Sequence, residues 1–204
     1  GYFESIDDVQ VAAAVMNKAE SWLRKQGVTV IHGPINLNIM INYRLQLTGF
    51  ATEPFLGEPR NPPYYEKLWL HCGFGPKNRW SSWDLTQQQM QILVDGLEAN
   101  KPADSEYRVG PIDLKNLTEE LKPFYPTAME CYSANFGYSK IEPNEVAVYF
   151  QPLSELFTQG DFAKALDKDG RWVGYIFGYW DLGEAFVKVD GETKNLALLQ
   201  QFRP

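Results

Sequence analysis

Hydrophobic and polar positions fall into segments of different period. Val9, Ala12, Ala13, Met16, Ala19 and Leu23 recur at the spacing of one helix face. Ser5-Ile6-Asp7-Asp8 before them has the form of an N-cap with an acidic residue at N3, and Gly27 supplies a C′ stop. The β-branched run Val28-Thr29-Val30-Ile31 follows, and with a short strand at Tyr2 to Glu4 this order predicts a right-handed βαβ unit. Asn61-Pro62-Pro63 sets a cap and two first-turn prolines before a second helix, Tyr64 to Cys72, which Gly73 closes. Trp80 to Leu85 reads as a strand. Thr86-Gln87-Gln88-Gln89 reads as a capping box opening a third helix, with Met90, Leu93, Val94 and Leu97 as its stripe and Ala99 near its end.

Asn100 to Ser105 is short, polar and proline-containing, a linker that divides the chain nearly in half. Beyond it, Tyr107 to Asp113 reads as a strand and Leu117 to Asn135 as helical segments broken near Pro123 and Pro126. A further helix is expected from Pro143 to Phe150. Phe162 to Leu166 and Arg171 to Tyr179, joined by Asp167-Lys168-Asp169-Gly170, make the clearest hairpin. Leu182 to Val189 has a weak helical period, and no repeat of 20–50 residues runs through the chain. The whole pattern predicts an α/β fold.

Composition narrows the class. With 204 residues, 44% hydrophobic and 14% aromatic, the chain can build one sizeable core, and one soluble globular domain is expected. A net charge of -7 argues against nucleic acid as a partner. The longest apolar stretch, Val173 to Trp180, is far short of the roughly 20 residues needed to span a bilayer, so no membrane partner is expected. Cys72 and Cys131 make neither a disulfide framework nor a CxxC site, which fits a reducing cytoplasm. Two histidines and scattered carboxylates give no metal-ligand spacing. The first residues lack a basic region, an apolar core and a Met, so the start reads as a cut or processed end.

Three stretches together carry a family likeness: Gly1-Tyr2-Phe3-Glu4-Ser5-Ile6-Asp7-Asp8; Gly33-Pro34-Ile35-Asn36 leading to Gly49-Phe50; and Asn61-Pro62-Pro63-Tyr64-Tyr65 ending in Gly73-Phe74. They resemble the large bacterial subgroup of GNAT N-acetyltransferase-like proteins whose chains have two parts. A weaker match lies in Asp169-Gly170-Arg171-Trp172-Val173-Gly174-Tyr175 with Asp181-Leu182. The resemblance implies a GNAT-like mixed central sheet with helices on both faces, its halves in permuted order. Residues 1–99 resemble the later half (strand 4 to strand 6), 100–106 form the linker, and 107–204 resemble the earlier half (strand 1 to strand 3) plus a tail. Either the two halves close into one permuted domain, which is the reading favoured, or each is completed by further chain or by strand exchange in a homodimer.

The resemblance also implies acyl transfer from acetyl-CoA or another acyl-CoA to a small-molecule acceptor, an amine or other group. Phe3 and Glu4 then inherit the backbone contact to the acyl carbonyl and the role of base, although Glu4 also reads as an ordinary strand-end carboxylate. The phosphates would meet the first helix near Ser5, Val9, Gln10 and Val11, with Asn61 nearby; Asp7 and Asp8 stand there in place of the family's glycine-rich turn. Trp69 occupies the position of the family's acid tyrosine and is no acid, which leaves Tyr64, Tyr65, His71 or Cys72 as substitutes, the two tyrosines reading equally as packing residues. Asn36, Asn38, Asn42 and Tyr43 suit either a small polar ligand or a set of turns. The rival to an enzyme is a degenerate binding or assembly module that keeps the fold without the chemistry.

Overall fold

A computed structural model describes residues 2–39, 41–55, 57–100, 106–145, 148, 162–178 and 180–189. The chain is a mixed α/β structure with helices and two small antiparallel sheets. Helix α1 (Val9–Lys25) is capped by Asp8 and not by Ser5: the Asp8 backbone is extended and its carboxylate accepts the N–H groups of Gln10 and Val11. The helix therefore begins one turn later than the capping pattern implies, and Gln26 and Gly27 close it. Two-residue strands β1 (Ile35–Asn36) and β2 (Asn42–Tyr43) pair through a hairpin. Helix α2 (Tyr65–His71) ends at Gly73, whose φ of +84° lets its N–H and that of Phe74 return to the carbonyls of Leu70 and Trp69. Ala12 of α1 and Tyr65, Leu68 and Trp69 of α2 form one buried cluster.

Among the described residues, the strands expected at Tyr2 to Glu4, Val28 to Ile31 and Trp80 to Leu85 do not form, and so neither does the βαβ unit expected from the first two. Each segment lacks a neighbouring ladder. The N–H of Tyr2 goes to Asn36 Oδ1 and that of Ser5 to the Tyr65 hydroxyl, so side chains take the place of a partner strand. Val30 is 63% and Trp83 80% exposed, and β propensity means little away from a pleated, half-buried surface. Helix α3 (Gln87–Ala99) does form, with the Thr86–Gln89 capping box complete, yet its whole surface is exposed.

The second half is built on a ladder. Strands β3 (Arg108–Pro111), β4 (Phe162–Leu166) and β5 (Trp172–Phe177) pair antiparallel in that order. Asp167 closes the β4–β5 turn by accepting the N–H groups of Asp169 and Arg171. Helix α4 (Leu117–Tyr132) lies on one face and runs unbroken through Pro123 and Pro126. An interior proline costs roughly 3 kcal/mol, and burial of Phe124 and Ala128 against Ile112, Phe162 and Trp172 offsets it. Lys164 pairs with Glu120 under this helix. The opposite face is open, with Val109 75% and Ile176 72% exposed.

Helix α5 (Gly183–Lys188) buries Leu182 and Ala185 against Phe186 and Val189. Half of the segment expected as a helix from Pro143 to Phe150 lies outside the described residues, its described part being helical, and Lys101 to Ser105 of the linker and Tyr179 of the hairpin lie outside them too. Among the described residues the halves meet through loops and not through a shared sheet: Phe136 packs edge-on against His32 and lies 6.2 Å from Trp80.

Candidate functional site

Glu4, Ser5, Tyr64 and Tyr65 are brought together. Helix α2 presents its first turn to the extended segment before α1. The Tyr65 hydroxyl donates to Glu4 Oε2 at 2.5 Å and accepts the Ser5 N–H at 3.1 Å, while the Tyr64 hydroxyl donates to the Ser5 carbonyl. Phe3 packs edge-on against Tyr65 and Trp69. Burial, followed by the hydrogen bond to Glu4, raises the Tyr65 phenol above its ordinary value, so the proton stays on Tyr65 at neutral pH. Glu4 itself is exposed, so its carboxylate is open to an incoming donor. The Phe3 and Glu4 N–H groups donate to no other backbone group among the described residues. This is a carboxylate steadied by a phenol, next to two amides with no backbone acceptor among the described residues.

The start of α1 is chemically different. Asp8 Oδ1 already accepts the Gln10 N–H at 2.7 Å and the Val11 N–H at 3.3 Å, and Asp7 pairs with Lys67. Of the three amides expected to cradle phosphate, two are spent on an internal carboxylate and only Val9 has no such bond. These residues do not fit a pyrophosphate, because an anion there would have to displace Asp8 and then sit beside it.

The remaining expected residues divide. Asn61 is a brace: Oδ1 accepts the Gln46 N–H, and Nδ2 donates to the Gln46 and Pro62 carbonyls. Asn36 and Asn42 are opposed in the β1–β2 register, Asn36 Oδ1 holds the Tyr2 N–H, and Asn38 is buried within the turn. Tyr43 alone of this group reaches a cavity of about 910 Å³. That cavity lies between residues 31–84 of the first half and Phe136 and Asp181 of the second. Trp69 is part of its lining and also touches Phe3, so one indole separates the cavity from the Glu4–Tyr65 pair. Gly33 permits this arrangement, since a Cβ there would stand 2.7 Å from the Trp69 ring.

Trp69, Trp80, Gln46 and Phe136 are functional candidates that sequence reasoning assigned to packing or passed over. Trp69 had one signal, its coincidence with the family's acid position; Phe136 had none, because it reaches the cavity from the other half. The Trp69 indole N–H and the Gln46 side-chain oxygen are buried without a hydrogen-bond partner among the described residues. Burial also pushes the Cys72 thiol up, away from a nucleophilic thiolate. No group of three or more potential metal ligands, and no helix long and apolar enough to cross a membrane, occurs among the described residues.

No protein-family model and no solved structure matches the chain. Two curated proteins do. Protein YghO of Escherichia coli (strain K12) is 27% identical over 197 residues, covering 94% of this chain and 49% of its own length. The bacterial ceramide synthase of Caulobacter vibrioides (strain NA1000 / CB15N) is 22% identical over 194 residues, covering 94% of this chain and 50% of its own length. The chain thus spans about half the length of the curated relatives it matches, and one of them bears the name of a synthase.

Proposed function

We propose that the chain belongs to an acyl-CoA-dependent acyltransferase that acylates an amine or another small acceptor. The observation that carries this reading is its similarity, along 94% of its length, to a protein named a ceramide synthase. A ceramide is an amide, so forming one is an acyl transfer. Glu4 would take the proton released as the amine nitrogen bonds the acyl carbon, the carbon–sulfur bond of the donor would break with the thiolate taking that proton up as free thiol, and Tyr65 would keep the carboxylate in place. The Phe3 N–H would donate to the carbonyl oxygen as it gains charge. The start of α1 does not suit the donor's phosphates, so an acyl-CoA would have to place them elsewhere. The GNAT-like permuted sheet is part of the same proposal, with further chain or a second copy completing it.

The Asp8 cap supports one other reading, a GNAT-like module that has lost its donor site and serves binding or assembly. Incubating the intact protein with acyl-CoA and primary amines, and following free thiol and amide product, decides between them. Turnover is expected, and Glu4→Gln should lower it by roughly 10²-fold, the scale of a lost general base. Amide formation untouched by Glu4→Gln would move the base elsewhere, and a complete lack of turnover would favour the binding module.

A further inference from the structure

The cavity between the halves has a chemistry that the acyl-transfer reading leaves unused. Its lining includes the carboxylates Glu53, Glu58, Glu66, Asp84 and Asp181 against the cations Arg44, Lys77 and Arg79. Arg44 is committed to Glu58 by contacts of 2.9 and 3.0 Å, so the remaining acids outnumber the remaining cations by two. A carboxylate or phosphate entering here meets net repulsion, and a cation meets attraction.

Aromatic rings point the same way. Tyr43 and Trp80 pack edge-to-face with centroids 5.2 Å apart, and Phe136 extends the cluster at 6.2 Å from Trp80. The Arg44 guanidinium already lies 4.8 Å from the Tyr43 centroid, so this cluster accepts positive charge at a ring face. Gln46 adds a buried oxygen without a donor; its own amide nitrogen is used on the Thr48 carbonyl. Leu45, Leu47 and Phe55 supply apolar wall, and about 910 Å³ is ample for more than a head group.

We infer that this cavity binds an organic ammonium carried on an apolar chain. As the acceptor of acyl transfer this ligand rests on the reading above; as a ligand it does not. The ammonium is held by the acids and the aromatic faces, and the chain lies along the leucines. Before transfer to an acyl carbon the nitrogen would lose one proton to water to become a free amine, and a second on forming the amide, which ends on the departing thiolate as free thiol.

The test is calorimetric titration of the intact protein with n-alkylamines from butylamine to dodecylamine, and with alkyl carboxylates of matching length, all below their micellar concentrations. Amines should saturate one site, with affinity rising about two- to fourfold per added methylene. Carboxylates of equal length should bind about tenfold more weakly or worse. Glu66→Gln, at an exposed position, should weaken dodecylamine by about threefold or more while leaving the melting temperature unchanged, and Trp80→Ala should weaken it by a similar factor. Carboxylates binding as tightly as amines, affinity indifferent to chain length, or variants that bind amine normally would each overturn the inference. Saturable amine binding with no amide formed on adding acyl-CoA would overturn acyl transfer alone. Amide formed from another acceptor, with no alkylamine binding, would overturn the cavity assignment alone.

Discussion

Residues 2–74 and residues 108–177 bury similar side chains with different backbones. In the second segment three strands exchange ladder bonds, and Phe162, Trp172 and Phe124 interlock above them. In the first segment the strands are two residues long, and long-range order comes from side chains: Asn36 to Tyr2, Asn61 to Gln46, Tyr64 and Tyr65 to Ser5 and Glu4. A ladder is cooperative and tolerates the loss of one contact poorly in its core and well at its rim. A set of side-chain ties fails one tie at a time. The difference places the candidate chemistry in the part of the molecule whose geometry depends on single hydroxyl and amide groups.

The comparison breaks first at Phe162. This residue is 1% exposed and meets Phe124, Trp172 and Phe177, so Phe162→Ala should cost about 3–5 kcal/mol in denaturant unfolding. If the second region is one cooperative ladder, hydrogen exchange should accelerate throughout β3, β4, β5 and α4 together. Acceleration confined to β4 would show that these strands are as loosely coupled as the ties of the first region.

Tyr65→Phe sharpens the contrast on the other side. It removes a hydroxyl engaged with both Glu4 and Ser5, and about 1–3 kcal/mol should be lost, with exchange quickening at residues 2–6 and little change beyond α2. A smaller loss is expected at Asp8→Ala, about 1 kcal/mol from the missing N-cap, read as a lower midpoint in urea with an unaltered slope. A value near zero would mean that Asp8 is not the group holding the Gln10 and Val11 amides.

A pH dependence reaches both regions. Tyr65 and Tyr175 both have phenols raised above the ordinary 10.0, first by burial, and for Tyr175 next by a hydrogen bond with Tyr132. A raised acid favours the protonated form in the fold, so this stability is complete below pH 10 and drains as pH climbs through the folded values. Tyrosinate absorbance should show these two residues titrating after the others, and Tyr65→Phe should delete one late step.

Much of the helix content was legible because its signals are local. The Thr86–Gln89 box, the Gly27 stop, and the Asp167-Lys168-Asp169-Gly170 turn all operate within a few residues, and all appear as expected. The strands at Tyr2, Val28 and Trp80 were not legible because a strand is defined by its neighbour, which no local run specifies. Continuity of α4 through two prolines was likewise decided by the sheet beneath it. Grouping Glu4 with Tyr65 came from resemblance, since 61 residues separate them, and only the folded chain shows the phenol tied to the carboxylate. The cavity was invisible for a related reason: its walls come from both halves, and Trp69, Gln46 and Phe136 have ordinary neighbours in sequence.

The Asp8 cap has a further consequence in terms of competition. A carboxylate two and three residues from the amides it holds is an intramolecular ligand, and a short flexible tether already gives an effective concentration on the ~mM scale. Asp8 is held more closely than such a tether allows, so a dissolved phosphate at micromolar concentration is outnumbered at that helix end by a ligand the chain always carries. An anion brought in on a larger molecule and anchored elsewhere gains a comparable local concentration, yet it would still have to sit beside the charge of Asp8 itself.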